Sequence, residues 1–191
     1  MRLFQFQKHR VKLWLIAAML VLGEGVVVSL AQANPVALGA QSTVRVGQGE
    51  FTYFGFKVYR AALDAPAPFV PAQWDQHGLT LTLTYHRSLK GKAIAERSLE
   101  EMRRSKPIEA VHEIAWLKDM SECFPDVQQG DRLQGFYQPG AGIRFDYNGQ
   151  PRCHIKDADF ARQFIGIWLH TSTSAPDLRA QLLGLSRAGG S

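Results

Sequence analysis

Three side chains suited to binding an anionic ligand alternate along one segment of the chain. Tyr53, Lys57 and Tyr59 lie at odd-numbered positions of residues 51–63, a run with the composition of one long β-strand. Successive side chains of a strand point to opposite faces, so these three would share a face. Aromatic rings, a cation and the bare backbone of Gly55 suit either a half-wetted sheet face or the floor of a ligand cleft.

The negatively charged head group of a ligand in such a cleft would need a desolvated cation as its partner. Arg45, Lys57 and Arg60 could supply that cation, and Lys57 is the best placed of the three. The alternative for Lys57 is a side chain that extends its ammonium group into water from an open sheet face.

A second clear strand is predicted at residues 78–87, where leucines and Tyr85 alternate with threonines and His86. Tyr85 is therefore a further candidate for the ligand site. In an enzyme, Tyr59 or Tyr85 could donate a proton and His86 could titrate near neutral pH. Tyr85 and His86 fall on opposite faces, however, so no mechanism can use both unless the strand bulges. The alternative for both tyrosines is ordinary packing.

The order of the predicted elements is that of an α+β protein with helices packed on an antiparallel sheet. Phe54, Phe56 and Val58 are expected to face the core, and the charged residues of the first helix are expected to form a solvated face. The apolar side of the second helix is expected to consist of Val111, Ile114, Ala115, Leu117 and Met120. Strands are predicted at residues 43–46 (followed by a turn at 47–49), 51–63, 78–87, 132–138, 142–147 and 150–155, and helices at 90–105, 108–124, 157–170 and after Ser174.

The first 33 residues have the pattern of a secretory signal peptide. Four basic residues precede an apolar run at residues 13–30, which leads to Ala31-Gln32-Ala33. We expect cleavage after Ala33 and a periplasmic protein, with residues 34–186 as one domain and 187–191 as a disordered tail. An uncleaved anchor in the inner membrane is the alternative.

Net charge gives little support for a nucleic-acid partner. The segment 1–33 holds four basic residues and one acid, so it accounts for +3 of the chain's +5 and leaves about +2. We therefore expect no nucleic-acid binding, no membrane span after signal cleavage and no cofactor. A small hydrophobic or amphipathic molecule is the expected ligand, and the sequence gives no indication of a particular protein partner.

Two cysteines, Cys123 and Cys153, could form a disulfide in an oxidising compartment. The bond would close a loop of about 30 residues. Two buried thiols that never meet are the alternative. No metal site is predicted, because His154 beside Cys153 has no second ligand at suitable spacing.

Four short segments together resemble the bacterial chalcone isomerase-like family. They are residues 55–61 (GFKVYRA), 124–127 (FPDV) with Gly130-Asp131, 167–169 (IWL) and 182–184 (LLG). The resemblance covers nearly all of the chain after residue 33. It implies an open-faced β-sandwich, in which helices are layered on one face of an antiparallel sheet and a ligand cleft lies between sheet and helices.

The resemblance leaves the activity open, because the family includes isomerases that cyclise chalcones and relatives that bind fatty acids without catalysis. The resemblance implies that an arginine holds the anionic part of the ligand in both groups, and its position falls near Gly47 or earlier, so Arg45 is the nearest candidate. Two residues of the isomerases are absent: their threonine falls at Phe54, and residues 90–93 (KGKA) stand where their tyrosine is expected. Both departures argue against chalcone isomerase activity.

Three functions are compatible with the sequence. The favoured one is a non-catalytic module that binds an amphipathic molecule such as a fatty acid. The second is an intramolecular lyase or isomerase acting on an enone-like substrate. The third is a structural or partner-binding protein whose cleft is filled by aromatic side chains.

Overall fold

A computed structural model describes residues 43–185. The signal peptide expected at 1–33 and the tail expected at 187–191 lie outside the described residues. The elements in chain order are β1 Thr43–Tyr53, β2 Phe56–Pro66, a 3₁₀ helix Pro71–Gln76, β3 Leu79–Tyr85, α1 Gly91–Met102, α2 Ala110–Cys123, β4 Arg132–Gln138, β5 Gly142–Tyr147, β6 Gln150–Ile155, α3 Ala158–Leu169 and α4 Pro176–Leu182.

The six strands form one antiparallel sheet in which each strand pairs with its neighbour in sequence. In β3 the leucines and Tyr85 are buried and the threonines between them are half-buried, as the alternation predicts. The buried face carries the helices: α3 packs on β4 and β5, and α4 packs on β1 and β2. The predicted α+β fold class, with an antiparallel sheet and helices on one face, is confirmed.

The first hairpin corrects the predicted strand at residues 51–63. β1 continues to Tyr53, and the chain reverses at Phe54 and Gly55, where Tyr53 pairs with Phe56. Phe54 and Phe56 are therefore 83% and 67% exposed instead of facing the core. The prediction failed because two strands of similar composition meet at a turn that lacks the usual asparagine.

The glycines at 47 and 49 lie inside β1, so the turn predicted there is wrong. A Cβ atom on Gly47 would overlap the carbonyl oxygen of Gln181, and one on Gly49 would come within 2.8 Å of Leu178 Cδ1. α4 thus crosses β1 at backbone contact distance. These glycines allow a close approach between elements that are far apart in sequence.

The two helices that follow β3 also differ from prediction in the faces they bury. In α2, Trp116, Met120 and Cys123 are buried, whereas Val111 and Ile114, expected on the inner side, are 66% and 74% exposed. In α1, Glu101 is buried instead of solvated (next section). The helix bounds were predictable from the sequence, but the buried stripe of α2 was not.

Replacement of Phe54 by asparagine is expected to stabilise the fold. Phe54 has a φ of 47°, followed by 80° at Gly55, and the Asn148-Gly149 turn between β5 and β6 has nearly the same angles, 50° and 82°. Asparagine adopts this left-handed conformation far more readily than phenylalanine. Phe54→Asn should raise the free energy of unfolding by about 1 kcal/mol in urea titrations. Phe56→Asn, where φ is not left-handed, is the control, and an equal gain there would contradict the explanation.

None of the helices between residues 43 and 185 has the length and apolar character needed to span a bilayer.

Candidate functional site

A cavity of about 290 Å³ lies between the sheet and helices α1 and α3. The sheet supplies one wall and the two helices supply the other, while residues 173–175 close one side. Most of its surface is apolar, contributed by Phe51, Leu83, Ile94, Leu133, Ile167 and Trp168. Its volume is near the lower end of the range for small-molecule sites, about 300–1,000 Å³. The cavity therefore suits a ligand of modest size.

Two tyrosines from neighbouring strands line this cavity. Tyr59 pairs with Tyr85 across β2 and β3, and their rings meet edge to face at 6.1 Å. The Tyr59 hydroxyl accepts a hydrogen bond of 3.0 Å from Trp168 Nε1. Burial raises the pKa of both hydroxyls well above the usual value. Both tyrosines therefore remain protonated and act as hydrogen-bond donors, not as bases.

The hydroxyl of Tyr85 forms no side-chain hydrogen bond with the described residues. Tyr85 is 2% exposed and lines the cavity. A hydroxyl that lines the cavity and has no side-chain partner in residues 43–185 can donate a hydrogen bond to a bound acceptor. Tyr85 is therefore the donor best placed to meet an oxygen atom of a ligand.

The polar end of the cavity contains an arginine–glutamate pair on α1. Arg97 donates hydrogen bonds to Glu101 Oε1 and, at 2.9 Å, to Glu100 Oε2. Glu101 is 9% exposed, and its Oε2 accepts no hydrogen bond within residues 43–185, although Arg104 Nε lies 3.6 Å away. Arg97 also lies 6.0 Å from the centre of the Tyr53 ring. Two carboxylates thus already offset the charge of Arg97.

Arg87 lines the same cavity, and its charge is not offset. It forms no ion pair with any residue in 43–185, and it lies exposed in the bend that follows Tyr85, the last residue of β3. Because Arg87 and Tyr85 both line the cavity, they present a cation and a hydroxyl donor to the same space.

The predicted site residues divide into two groups. Tyr53, Tyr59 and Tyr85 line the cavity. The two predicted cations do not: Arg45 Nε binds Asp64 Oδ1 at 2.7 Å, and the Lys57 side chain is exposed at the hairpin. Arg45 is too far along β1 from the cavity, and the turn at Phe54 shifts Lys57 away from the place that a single long strand would give it.

The remaining predicted polar residues form a separate cluster with Glu50. Arg60 Nε donates to Glu50 Oε1 at 2.8 Å, and His86 Nε2 lies 2.7 Å from Glu50 Oε2. Burial raises the pKa of Glu50, but the hydrogen bonds and charges of Arg60 and His86 together outweigh burial, so the pKa lies below its usual value. None of the three lines the cavity. His86 and Tyr85 therefore act on different sides, as the alternation predicted.

The sequence held a signal for some of the residues that the predictions missed. Arg87 is not one of them, because it is exposed in the bend after β3 and the buried alternation ends at Tyr85. On α1, Arg97 and Glu101 lie three and seven positions after Ile94, so they share its stripe. The charged residues of this helix were all expected on a solvated face, although Arg97 and Glu101 share the helical period of Ile94.

The segment at 124–131 supports the cavity without lining it. Asp126 Oδ1 accepts a hydrogen bond of 3.0 Å from Gly91 N at the first residue of α1, and Asp126 Oδ2 binds Lys90 Nζ at 2.7 Å. Asp131 accepts hydrogen bonds from the Tyr147 hydroxyl and from Asn148 Nδ2. These aspartates fix the start of α1 and the β5–β6 hairpin.

A family model described as chalcone isomerase-like matches residues 28–184. The chain belongs to the chalcone isomerase-like family. An uncharacterised protein of Haemophilus influenzae strain Rd is 31% identical over 143 residues, which cover 75% of this chain and 69% of that protein. The crystal structure of an Arabidopsis thaliana fatty-acid-binding protein superposes with a TM-score of 0.60 at 13% identity, over 78% of this chain and 90% of the plant chain.

These comparisons confirm the family predicted from the four sequence segments and the open-faced sheet with layered helices. At 13% identity, the likeness to the plant protein establishes the shared fold alone. Within this chalcone isomerase-like domain, the space between sheet and helices is the cavity described above.

A disulfide joins Cys123 at the end of α2 to Cys153 in β6, with Cα atoms 5.7 Å apart. The Cα separation is within the usual range for bonded cysteines. The neighbouring His154 is exposed. Across residues 43–185, no three His, Cys, Asp or Glu side chains converge in a way that could hold a metal ion.

Proposed function

We propose that this protein binds a small amphipathic molecule with an acidic head group, such as a fatty acid, in the cavity between sheet and helices. The observation that carries the proposal is the pairing of an apolar cavity with one uncompensated cation, Arg87, beside the free hydroxyl of Tyr85. Apolar walls with a few convergent polar groups are typical of sites for such ligands. The fatty-acid-binding plant protein of the same fold supports this choice.

The head group would bind at Arg87 and Tyr85, and the alkyl chain would pack along Leu83, Ile94 and Trp168. Arginine with a neutral hydroxyl donor suits a carboxylate. The proposal contains no chemical step, because the raised pKa values of Tyr59 and Tyr85 make both hydroxyls hydrogen-bond donors and not bases. The cavity volume favours a medium-chain acid over a long-chain one.

Titration of the delipidated protein with decanoate should give saturable binding, measured by calorimetry and by intrinsic tryptophan fluorescence, to which Trp168 in the cavity wall contributes. Ala93→Trp should weaken it at least tenfold, because Ala93 lies at the solvent-facing edge of the cavity and its replacement fills the space. Ala115→Trp, at an exposed position of α2 away from the cavity, is the matched control and should bind as the wild type does. Failure of the wild type to bind decanoate, palmitate or a co-purified lipid would refute the proposal.

A further inference from the structure

The tip of the β1–β2 hairpin exposes an aromatic cluster that the fold does not require. Phe54 is 83% exposed and Phe56 is 67% exposed, and Tyr53 beside them is half-exposed. Contiguous exposed aromatic surface is unusual on a soluble domain and marks an interaction site. Neither phenylalanine belongs to the hydrophobic core.

Phe54 also occupies a position where its own backbone conformation disfavours it. The β5–β6 hairpin of the same chain makes the same two-residue turn with Asn148, at almost identical φ. An asparagine at 54 would satisfy the turn, and the aromatic contact of the Phe54 ring is an edge-to-face one at 4.5 Å with the half-exposed Tyr53 ring at the same tip. A strained residue that lies outside the hydrophobic core points to a function for its side chain.

Two basic side chains lie near this tip. Lys57 follows the turn, and the hydrogen bond from His86 N to Val58 O continues the sheet so that Arg87 lies beside Lys57 at the same end. Neither cation forms an ion pair with another residue in 43–185. Aromatic rings next to uncompensated cations match an anionic lipid surface, where the rings enter the interface and the cations contact head groups.

The tip adjoins the cavity. Phe51 and Tyr53 line the cavity, and Phe54 follows Tyr53 directly. A lipid surface in contact with Phe54 and Phe56 would therefore lie next to Tyr53 and Arg97, at the entrance of the cavity. We infer that the hairpin tip, Phe54 and Phe56 with Lys57, docks the protein on anionic lipid bilayers.

Vesicle co-sedimentation tests the inference, using the chain from Asn34, which retains every element of the fold. Phe54→Asn and Phe56→Asn should each lower the partition coefficient on phosphatidylglycerol-containing vesicles about tenfold. Because Phe54→Asn is expected to stabilise the fold, its loss of binding cannot come from misfolding. Lys57→Glu should weaken binding to these vesicles and leave binding to phosphatidylcholine vesicles unchanged.

The matched control is Val111→Asn with Ile114→Asn, which removes equally exposed apolar side chains from α2 and should change the partition coefficient less than twofold. Absence of wild-type binding, or an equal loss in the α2 variant, would overturn the inference. So would a change of oligomeric state in Phe54→Asn by sedimentation velocity, since the tip would then contact a second copy. Phe54→Asn separates docking from the proposed function, because Phe54 does not line the cavity and the variant should bind decanoate as the wild type does.

Discussion

Loss of the disulfide, in the double variant Cys123→Ala with Cys153→Ala, is expected to lower the free energy of unfolding by about 3–4 kcal/mol. The bond links residues 30 apart in sequence, so its removal restores considerable entropy to the unfolded chain. It also ties the end of α2 to β6, where the two elements share few other contacts. For a domain of this size the melting temperature should fall by roughly 10 °C.

Reduction of the disulfide in the wild-type protein is the control for this variant. Dithiothreitol should lower the melting temperature of the wild type by a similar amount and leave the double variant unchanged. No effect on the wild type would mean that the two thiols are not bonded. Decanoate affinity, measured well below the melting temperature, should remain within threefold of the wild-type value, because no residue of α2 or β6 lines the cavity.

Local patterns were sufficient for most of the fold. Alternation in β3 marks its buried face, and Asn148-Gly149 marks a hairpin through its positive φ angles. Asp157 marks the start of α3, where its side chain accepts a hydrogen bond from Phe160 N. In each case, neighbours in sequence determine the conformation.

The errors concern contacts between distant segments. The sequence around Gly47 and Gly49 suggests a turn. In the structure these glycines allow α4 to pass closely over β1, a contact that local sequence does not encode. The turn at Phe54 gives no sequence signal, because phenylalanine is a poor residue for it. Because this turn was not predicted, Lys57 was expected in the site and Phe54 and Phe56 were expected in the core. In the structure all three side chains are exposed.

Alternation in the sequence also identified three of the residues that line the cavity. Tyr53, Tyr59 and Tyr85 were chosen by alternation, and all three line the cavity. The predicted cations lie outside the cavity, whereas Arg87 and Arg97 line it. Arg97 follows the helical period of Ile94, but Arg87 is exposed in the bend after β3, where the alternation of the strand no longer applies.

Arg87→Met is expected to weaken decanoate binding by about 10- to 150-fold, or roughly 1.5–3 kcal/mol, the usual contribution of a hydrogen bond to a charged group. Methionine keeps much of the aliphatic side chain while removing the charge. Binding of decanol, which has no carboxylate, should change by less than threefold. Calorimetric titration of both ligands against both proteins measures the difference.

Arg132→Met is the matched control, because Arg132 is exposed, forms no ion pair within residues 43–185 and does not line the cavity. It should bind decanoate as the wild type does. The pH dependence adds a further check. Arginine stays charged, and the raised pKa values of Tyr59 and Tyr85 keep both hydroxyls protonated, so affinity should be constant from neutral pH to about 10, where an ordinary tyrosine ionises.

Arg97 provides the decisive contrast, since it lines the same cavity while bound to Glu100 and Glu101. Arg97→Met should destabilise the protein, because it leaves the buried carboxylate of Glu101 with Arg104 at 3.6 Å as its remaining ion-pair partner. It should affect decanoate and decanol equally. If Arg97→Met instead lost decanoate selectively and Arg87→Met did not, the head group would lie at α1, and the uncompensated charge would not be what selects the ligand.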